Sequence, residues 1–339
     1  MDFIEKLKEK SIKKKNVSTS EALELFVEGT GNPYRVLAAA SEIREHFKGK
    51  DIILCGITHL ISAKCTQECT SRASFHSNPD HVSAQKIKTA RQVLAEAVQA
   101  KKNGAEFFSI ITGSEGLKTK KAWKNICQII PAINKSGIKP CLAAGMIDAN
   151  QAAQLKAVGL SRYCFSFQND GKEDRAMMNA VKAAGLSVCA GVSFGIGETF
   201  TQRIQSAEVL RKLNVDAVSI NMIDSGSENK RDRAQTLSPM EILMTVAVFR
   251  FMLPDKDIKL CGGRKNNLRQ LLPLGIIAGA NSLMTGNDLN ATERNSKLDH
   301  EMIADLGLIP TREIDLCTCD TKGKQRCAAS SAIKSRSLV

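Results

Sequence analysis

Residues 186–223 read LSVCAGVSFGIGETFTQRIQSAEVLRKLNVDAVSINMI. The opening run, Leu186–Phe194, is apolar and rich in β-branched residues without strict alternation, the pattern of a strand buried on both faces. Gly195-Ile196-Gly197-Glu198-Thr199 then breaks it. Ile204, Ala207, Leu210 and Leu213 follow at spacings of three, the stripe of an amphipathic helix. A second apolar run, Val215–Ile223, completes a strand–helix–strand unit.

The same alternation extends in both directions. Further strands are expected at Asp51–Thr58, Ala105–Thr112, Ile138–Ala143, Ser161–Phe167, Ile258–Cys261 and Asn281–Met284. Ile87, Ala90, Val93, Leu94, Ala97 and Val98 mark a helix that Gly104 can end. Ser238-Pro239-Met240-Glu241 opens another, with an N-cap, a proline at the first helical position and a capping-box glutamate. Eight strands with helices between them predict an α/β fold, a (β/α)8 TIM-type barrel. A doubly wound sheet is disfavoured because no dinucleotide glycine fingerprint is present. The expected organisation is an N-terminal helical extension over residues 1–48, a barrel over 49–309 and an irregular tail over 310–339.

Composition narrows the functional classes. The 339 residues are 43% hydrophobic and 24% charged, ordinary for a globular chain. No apolar run reaches the ~18 residues of a membrane span, and the charged start MDFIEKLKEK is unlike a secretory signal. A cytoplasmic location is therefore expected. Lys+Arg 48 against Asp+Glu 35 gives +13, but only 4% of residues are aromatic, so a stacking platform for nucleic acid is unsupported. Eleven cysteines, an odd number, suit metal binding, catalysis or core filling in a reducing compartment better than a disulfide set.

Several cysteines fall where barrel chemistry happens. Cys141, Cys164 and Cys189 lie in strands three, four and five, and Cys261 ends strand seven shortly before Arg264. Cysteine is often a small buried hydrophobe. Cys141 and Cys189, however, are able to point into one barrel interior, as thiolates holding an iron–sulfur cluster do. The loop after strand one carries Cys65 and Cys69, and Gly113 and Gly197 sit in turns where a ligand could approach the backbone.

Ser62-Ala63-Lys64-Cys65 with Glu68-Cys69, Val188-Cys189-Ala190-Gly191 through Gly195–Thr199, Ser219-Ile220-Asn221, Leu237-Ser238-Pro239, Cys261-Gly262-Gly263-Arg264 and Ala278–Ser282 with Thr285-Gly286 occur in this order. Together, from about residue 35 to 308, they resemble the biotin synthase family of radical S-adenosylmethionine enzymes. The resemblance implies a [4Fe-4S] cluster held by Cys-x3-Cys-x2-Cys and S-adenosylmethionine, generating a radical that abstracts hydrogen from dethiobiotin. It also implies a second iron–sulfur cluster in the barrel as sulfur donor. On this chain Cys65 and Cys69 match the first cluster, with Arg72 at the third cysteine's position. Cys141, Cys189 and Arg264 match the second, where Cys189 and Arg264 would also be catalytic, and Phe108 falls where many members carry another cysteine. Arg175 and Asn221 match positions around S-adenosylmethionine and substrate, and Gly113, Gly197 and Glu198 belong to the cofactor-binding turns. The loop after strand four is shorter than in the family.

Three further expectations follow. A homodimer and a reducing partner such as flavodoxin accompany the resemblance. Cys55, His59 and His76 are close enough in sequence to assist the Cys65/Cys69 loop. Cys317, Cys319 and Cys327 read either as exposed tail thiols or as a further metal site, and their spacing is not a standard zinc pattern. The alternative to sulfur insertion is a biotin synthase paralogue that has lost radical chemistry and acts as a small-ligand or partner-binding barrel.

Overall fold

The computed structural model describes residues 2–60, 88–112, 117, 119–167, 172–223, 237–285 and 295–312, with the backbone of 317–319 and 325–327. Cys65, Cys69, Arg72, His76 and Gly113 lie outside the described residues.

Eight strands carry the fold: β1 Asp51–His59, β2 Phe107–Ile111, β3 Lys139–Ala143, β4 Arg162–Ser166, β5 Ser187–Phe194, β6 Ala217–Met222, β7 Asp257–Leu260 and β8 Ser282–Met284. All pair in parallel in chain order, and β1 closes the ring by pairing with both β8 and β2. The fold is a (β/α)8 barrel. Each apolar run of the sequence is a strand within a residue or two of its expected limits, because parallel strands roofed by helices are buried on both faces.

Three helices precede the barrel: α1 Phe3–Ile12, α2 Thr19–Gly31 and α3 Pro33–Lys48. Those after β1 to β5 are α4 Ala90–Lys102, α5 Lys120–Lys135, α6 Ala149–Ala157, α7 Lys172–Ala183 and α8 Phe200–Lys212. After β6 and β7 come α9 Pro239–Met252, α10 Arg264–Leu268 and α11 Leu274–Ile277, and α12 Ser296–Asp305 follows β8. Helix α4 ends at Asn103, before Gly104 at φ +80°. Helix α9 is buried along nearly its whole length, with α3 packed on it. A helix apolar all round requires such double cover.

Helix α9 starts as the sequence indicates, with Ser238 Oγ accepting from Glu241 N at 3.1 Å. The expected capping-box return by Glu241 is not made. Its carboxylate lies 2.9 Å from the buried Arg203 guanidinium, a charge-assisted partner stronger than a backbone amide. Beyond the barrel, β9 Ile309–Pro310 runs alongside the start of β1. In the segment that lacks sequence periodicity, β10 Cys317–Cys319 and β11 Gln325–Cys327 pair antiparallel, Cys317 opposite Cys327.

Candidate functional site

Alternation along each strand divides the wall in two. Leu54, Phe108, Leu142, Tyr163, Val188, Val218, Leu260 and Leu283 belong to the large apolar cluster shared with the helices. Their sequence neighbours form separate clusters inside: Cys55, Phe107 and Cys141 with Ile53 and Cys164, and, nearer the strand C-termini, Ile57, Cys261 and Met284 with Ile111. TIM barrels usually fill this space with branched side chains. Here thiols and small hydroxyls take much of it.

Strand register brings the thiols together. Cys164 and Cys189 are direct partners between β4 and β5. Cys141 is the partner of Arg162, two residues before Cys164 on the same inner face. The Cys189 Sγ lies 3.0 Å from Ser219 Oγ, and Cys55 Sγ lies 3.6 Å from Ser282 Oγ. Interaction with the Cys141 thiol, together with burial, pushes Cys164 up to about 12, although Cys189 acts in the opposite sense. The Cys164 thiol and burial raise Cys189 well above its usual range, and burial raises Cys261 to about 11. Among the described residues, no three His, Cys, Asp or Glu side chains converge tightly enough to hold a single metal ion.

Two cations face these thiols. Lys259 is 4% exposed and, among the described residues, is joined to no carboxylate. Burial alone would lower its ammonium, yet Cys55, Cys189, Cys261 and Cys164 around it raise it well above the ordinary value. Arg162 stands over the Phe107 ring, 4.4 Å from its centroid, and its Nη2 is 3.2 Å from Asp257. Asp257 also meets Lys48 at 2.9 Å. Burial would raise the Asp257 carboxyl, but Lys48 and Arg162 outweigh it and hold the group below the usual range.

The residues singled out by sequence divide accordingly. Cys141 and Cys189 share the interior. Arg264 begins α10, fully buried, its Nη2 2.6 Å from Asp299 and 3.0 Å from the Met284 carbonyl. Its Nε and Nη1 have no hydrogen-bond partner among the described residues. Glu198 turns back on its own loop, accepting from the Gly195 and Ile196 amides and pairing with Arg203 Nε at 2.7 Å. Gly197, at φ +94°, makes that turn possible. Asn221 ties three strand ends: its Nδ2 donates to Val192 O and its Oδ1 accepts from Gly262 N. Arg175 is exposed on the first turn of α7.

Two positions differ from the sequence reading. Phe108 faces the helices, its ring against the backbone of Gly56 on β1. The inward position on β2 is Ser109, register partner of Cys141. Cys55 packs beside Cys141 inside the barrel. Sequence reasoning does not single out Lys259 or Arg162. A lysine two residues before Cys261, in an apolar strand, is the one signal that could have found the former.

Residues 219–309 match the Biotin and Thiamin Synthesis associated domain. Two solved structures share the barrel: the hydrogenase maturase HydG (TM-score 0.74, 17% identity, 91% of this chain and 75% of that one) and methylornithine synthase (TM-score 0.69, 18%, 90% and 97%). The class is thus a (β/α)8 barrel with a thiol-lined interior. Curated relatives narrow it. Biotin synthases of Geotalea daltonii (34% identical, 90% of this chain, 97% of that protein) and Pelobacter propionicus (33%, 86% and 93%) align along most of its length. The chain belongs to the biotin synthase family.

Proposed function

We propose that this chain is a radical S-adenosylmethionine enzyme that inserts sulfur into dethiobiotin or a related unactivated carbon substrate. The observation that carries the reading is that Cys141 and Cys189, from β3 and β5, both lie beside Cys164 inside the barrel of a chain 34% identical to a biotin synthase over 318 residues. Buried thiols beside the cationic Lys259 and Arg162 suit an anionic, thiolate-ligated cluster. When bound, the family's two clusters and S-adenosylmethionine supply the radical and the sulfur. The protein's part is to bind and orient. Cys65 and Cys69 would hold the [4Fe-4S] cluster; Cys141, Cys189 and Arg264 would serve the second. Gly113, Arg175, Gly197, Glu198 and Asn221 would frame the cofactor and substrate. Glu198 does so by fixing the Gly195–Gly197 turn, since its oxygens already hold the amides there. A homodimer, a cytoplasmic location and a reductant such as flavodoxin complete the proposal. No helix among the described residues is long and apolar enough to cross a membrane.

Arg72 in place of a third cysteine favours a second reading, a paralogue without radical chemistry that binds a small ligand. One experiment separates them. Protein reconstituted anaerobically with iron and sulfide is reduced with S-adenosylmethionine present, and 5′-deoxyadenosine is measured with and without dethiobiotin. Accumulation above a no-protein control supports the first reading, and biotin formation identifies its substrate. Absence of both, with iron bound, leaves the second.

A further inference from the structure

The interior holds more thiols than the two that the resemblance assigns. Cys164 is register partner of Cys189 and packs in the same inner cluster as Cys141 and Cys55. Neither Cys164 nor Cys55 belongs to the ligand set implied by the resemblance. At the position inside β2, meanwhile, Ser109 offers a hydroxyl, a poor ligand for iron–sulfur clusters beside a thiolate.

We propose that this chain builds its barrel cluster on four thiols, Cys55, Cys141, Cys164 and Cys189 from β1, β3, β4 and β5, with Cys164 in the place of the missing β2 cysteine and Lys259 as the buried counter-charge. The inference rests on the reading above only in taking an iron–sulfur cluster as the occupant. Three observations support it. First, Cys55, Cys141 and Cys164 pack in one group inside the barrel and Cys189 joins it as register partner of Cys164, whereas Cys261 packs one step nearer the mouth with Ile57 and Met284.

Second, Cys164 links the two thiols that the resemblance assigns, its side chain within hydrogen-bonding reach of both Cys141 and Cys189.

Third, Lys259 needs an anion. It is 4% exposed with no carboxylate partner among the described residues, and a buried ammonium without one is strongly disfavoured. The groups around it are Cys55, Cys164, Cys189 and Cys261, and Arg162 adds a second cation beside Cys141, Cys189 and Cys55. Neutral thiols leave both cations uncompensated except for the Asp257 partner of Arg162. A cluster carrying four thiolates would balance them. Arg264 is anchored instead by Asp299 and the Met284 carbonyl through Nη2.

The test uses the full chain in a background with Cys65, Cys69, Cys317, Cys319 and Cys327 all replaced by alanine, so that iron counted belongs to the barrel. After anaerobic reconstitution with ferrous iron and sulfide, this background is expected to hold a two-iron complement with visible charge-transfer absorption. Cys164→Ser should lose at least half of it, while Cys261→Ser, an equally buried thiol outside the group, should keep it. Far-ultraviolet circular dichroism and urea midpoints establish that each variant folds. Lys259→Met should leave iron content largely intact but shift the cluster's reduction potential to more negative values, and Lys259→Arg should restore it, because net charge around a cluster sets its potential. Equal iron in Cys164→Ser and the background overturns the proposal, as does a background that takes up no iron and sulfide. Deoxyadenosine formation by the unsubstituted chain is scored separately. If it fails while Cys164→Ser still loses the barrel iron, the radical reading falls and the ligand assignment stands. If deoxyadenosine forms while Cys164→Ser keeps the barrel iron, the ligand assignment falls and the radical reading stands.

Discussion

On every strand of this barrel the two faces hold different chemistry. On β4, Tyr163 and Phe165 pack outward in the main core, while Arg162 and Cys164 point inward. On β7, Leu260 lies between Lys259 and Cys261 and takes the opposite side. Stability and chemistry are thus interleaved residue by residue. The outer face is held by apolar burial, at about 25 cal/mol per Å2. The inner face buries thiols and cations that bring little such stabilisation, and it persists because the outer shell fixes the backbone that carries it.

That contrast breaks most sharply where an inner-side charge loses its partner. Arg264 and Asp299 are both fully buried, so Asp299→Ala leaves an uncompensated guanidinium. A loss of about 3–5 kcal/mol is expected in urea unfolding. A change below about 1 kcal/mol would show that the Met284 carbonyl suffices. On the outer face, Leu283→Ala should cost about 2–5 kcal/mol by opening a cavity, and reconstituted iron per folded chain should not change. Iron that fell in proportion to stability would erase the distinction between the faces.

The inner thiols also make the iron-free, reduced protein sensitive to alkali. Cys261 is neutral in the fold up to about pH 11, whereas an exposed thiol ionises near 9. Between these values the native state binds more protons than the unfolded one, so stability present below pH 9 is lost as pH rises towards 11. For this one thiol the loss approaches about 3 kcal/mol. Denaturation midpoints measured between pH 8 and 11 check it, and Cys261→Ser should flatten the decline.

The smallest effect is expected at the barrel's surface. Thr199 caps α8, accepting from Gln202 N at 3.2 Å, while the Gln202 side chain returns to the Thr199 amide at 2.7 Å. Thr199→Ala should cost about 1 kcal/mol and leave thiol reactivity in the interior unchanged. Faster alkylation of Cys189 in that variant would mean that the turn after β5 guards the interior as well as starting a helix.

What the sequence determined by itself was the wall. Strands buried on both faces must be apolar throughout, so β1 to β8 announce themselves as runs, and Ser238-Pro239 and Gly104 mark helix ends through local backbone chemistry. It also indicated that Cys141 and Cys189 could point into one interior, because alternate strands of a barrel face the same space. A continuous apolar run does not, however, reveal which of its residues point inward. That phase is set by register and shear between strands distant in sequence. Tertiary structure alone therefore turned Phe108 outward and put Ser109 inside. It also paired Cys164 with Cys189, drew Cys55 beside Cys141, and buried Lys259 among thiols up to some 200 residues away along the chain. Glu241 turned from its helix cap to Arg203 for the same reason: a buried charge supplied by another helix outweighed the local hydrogen bond.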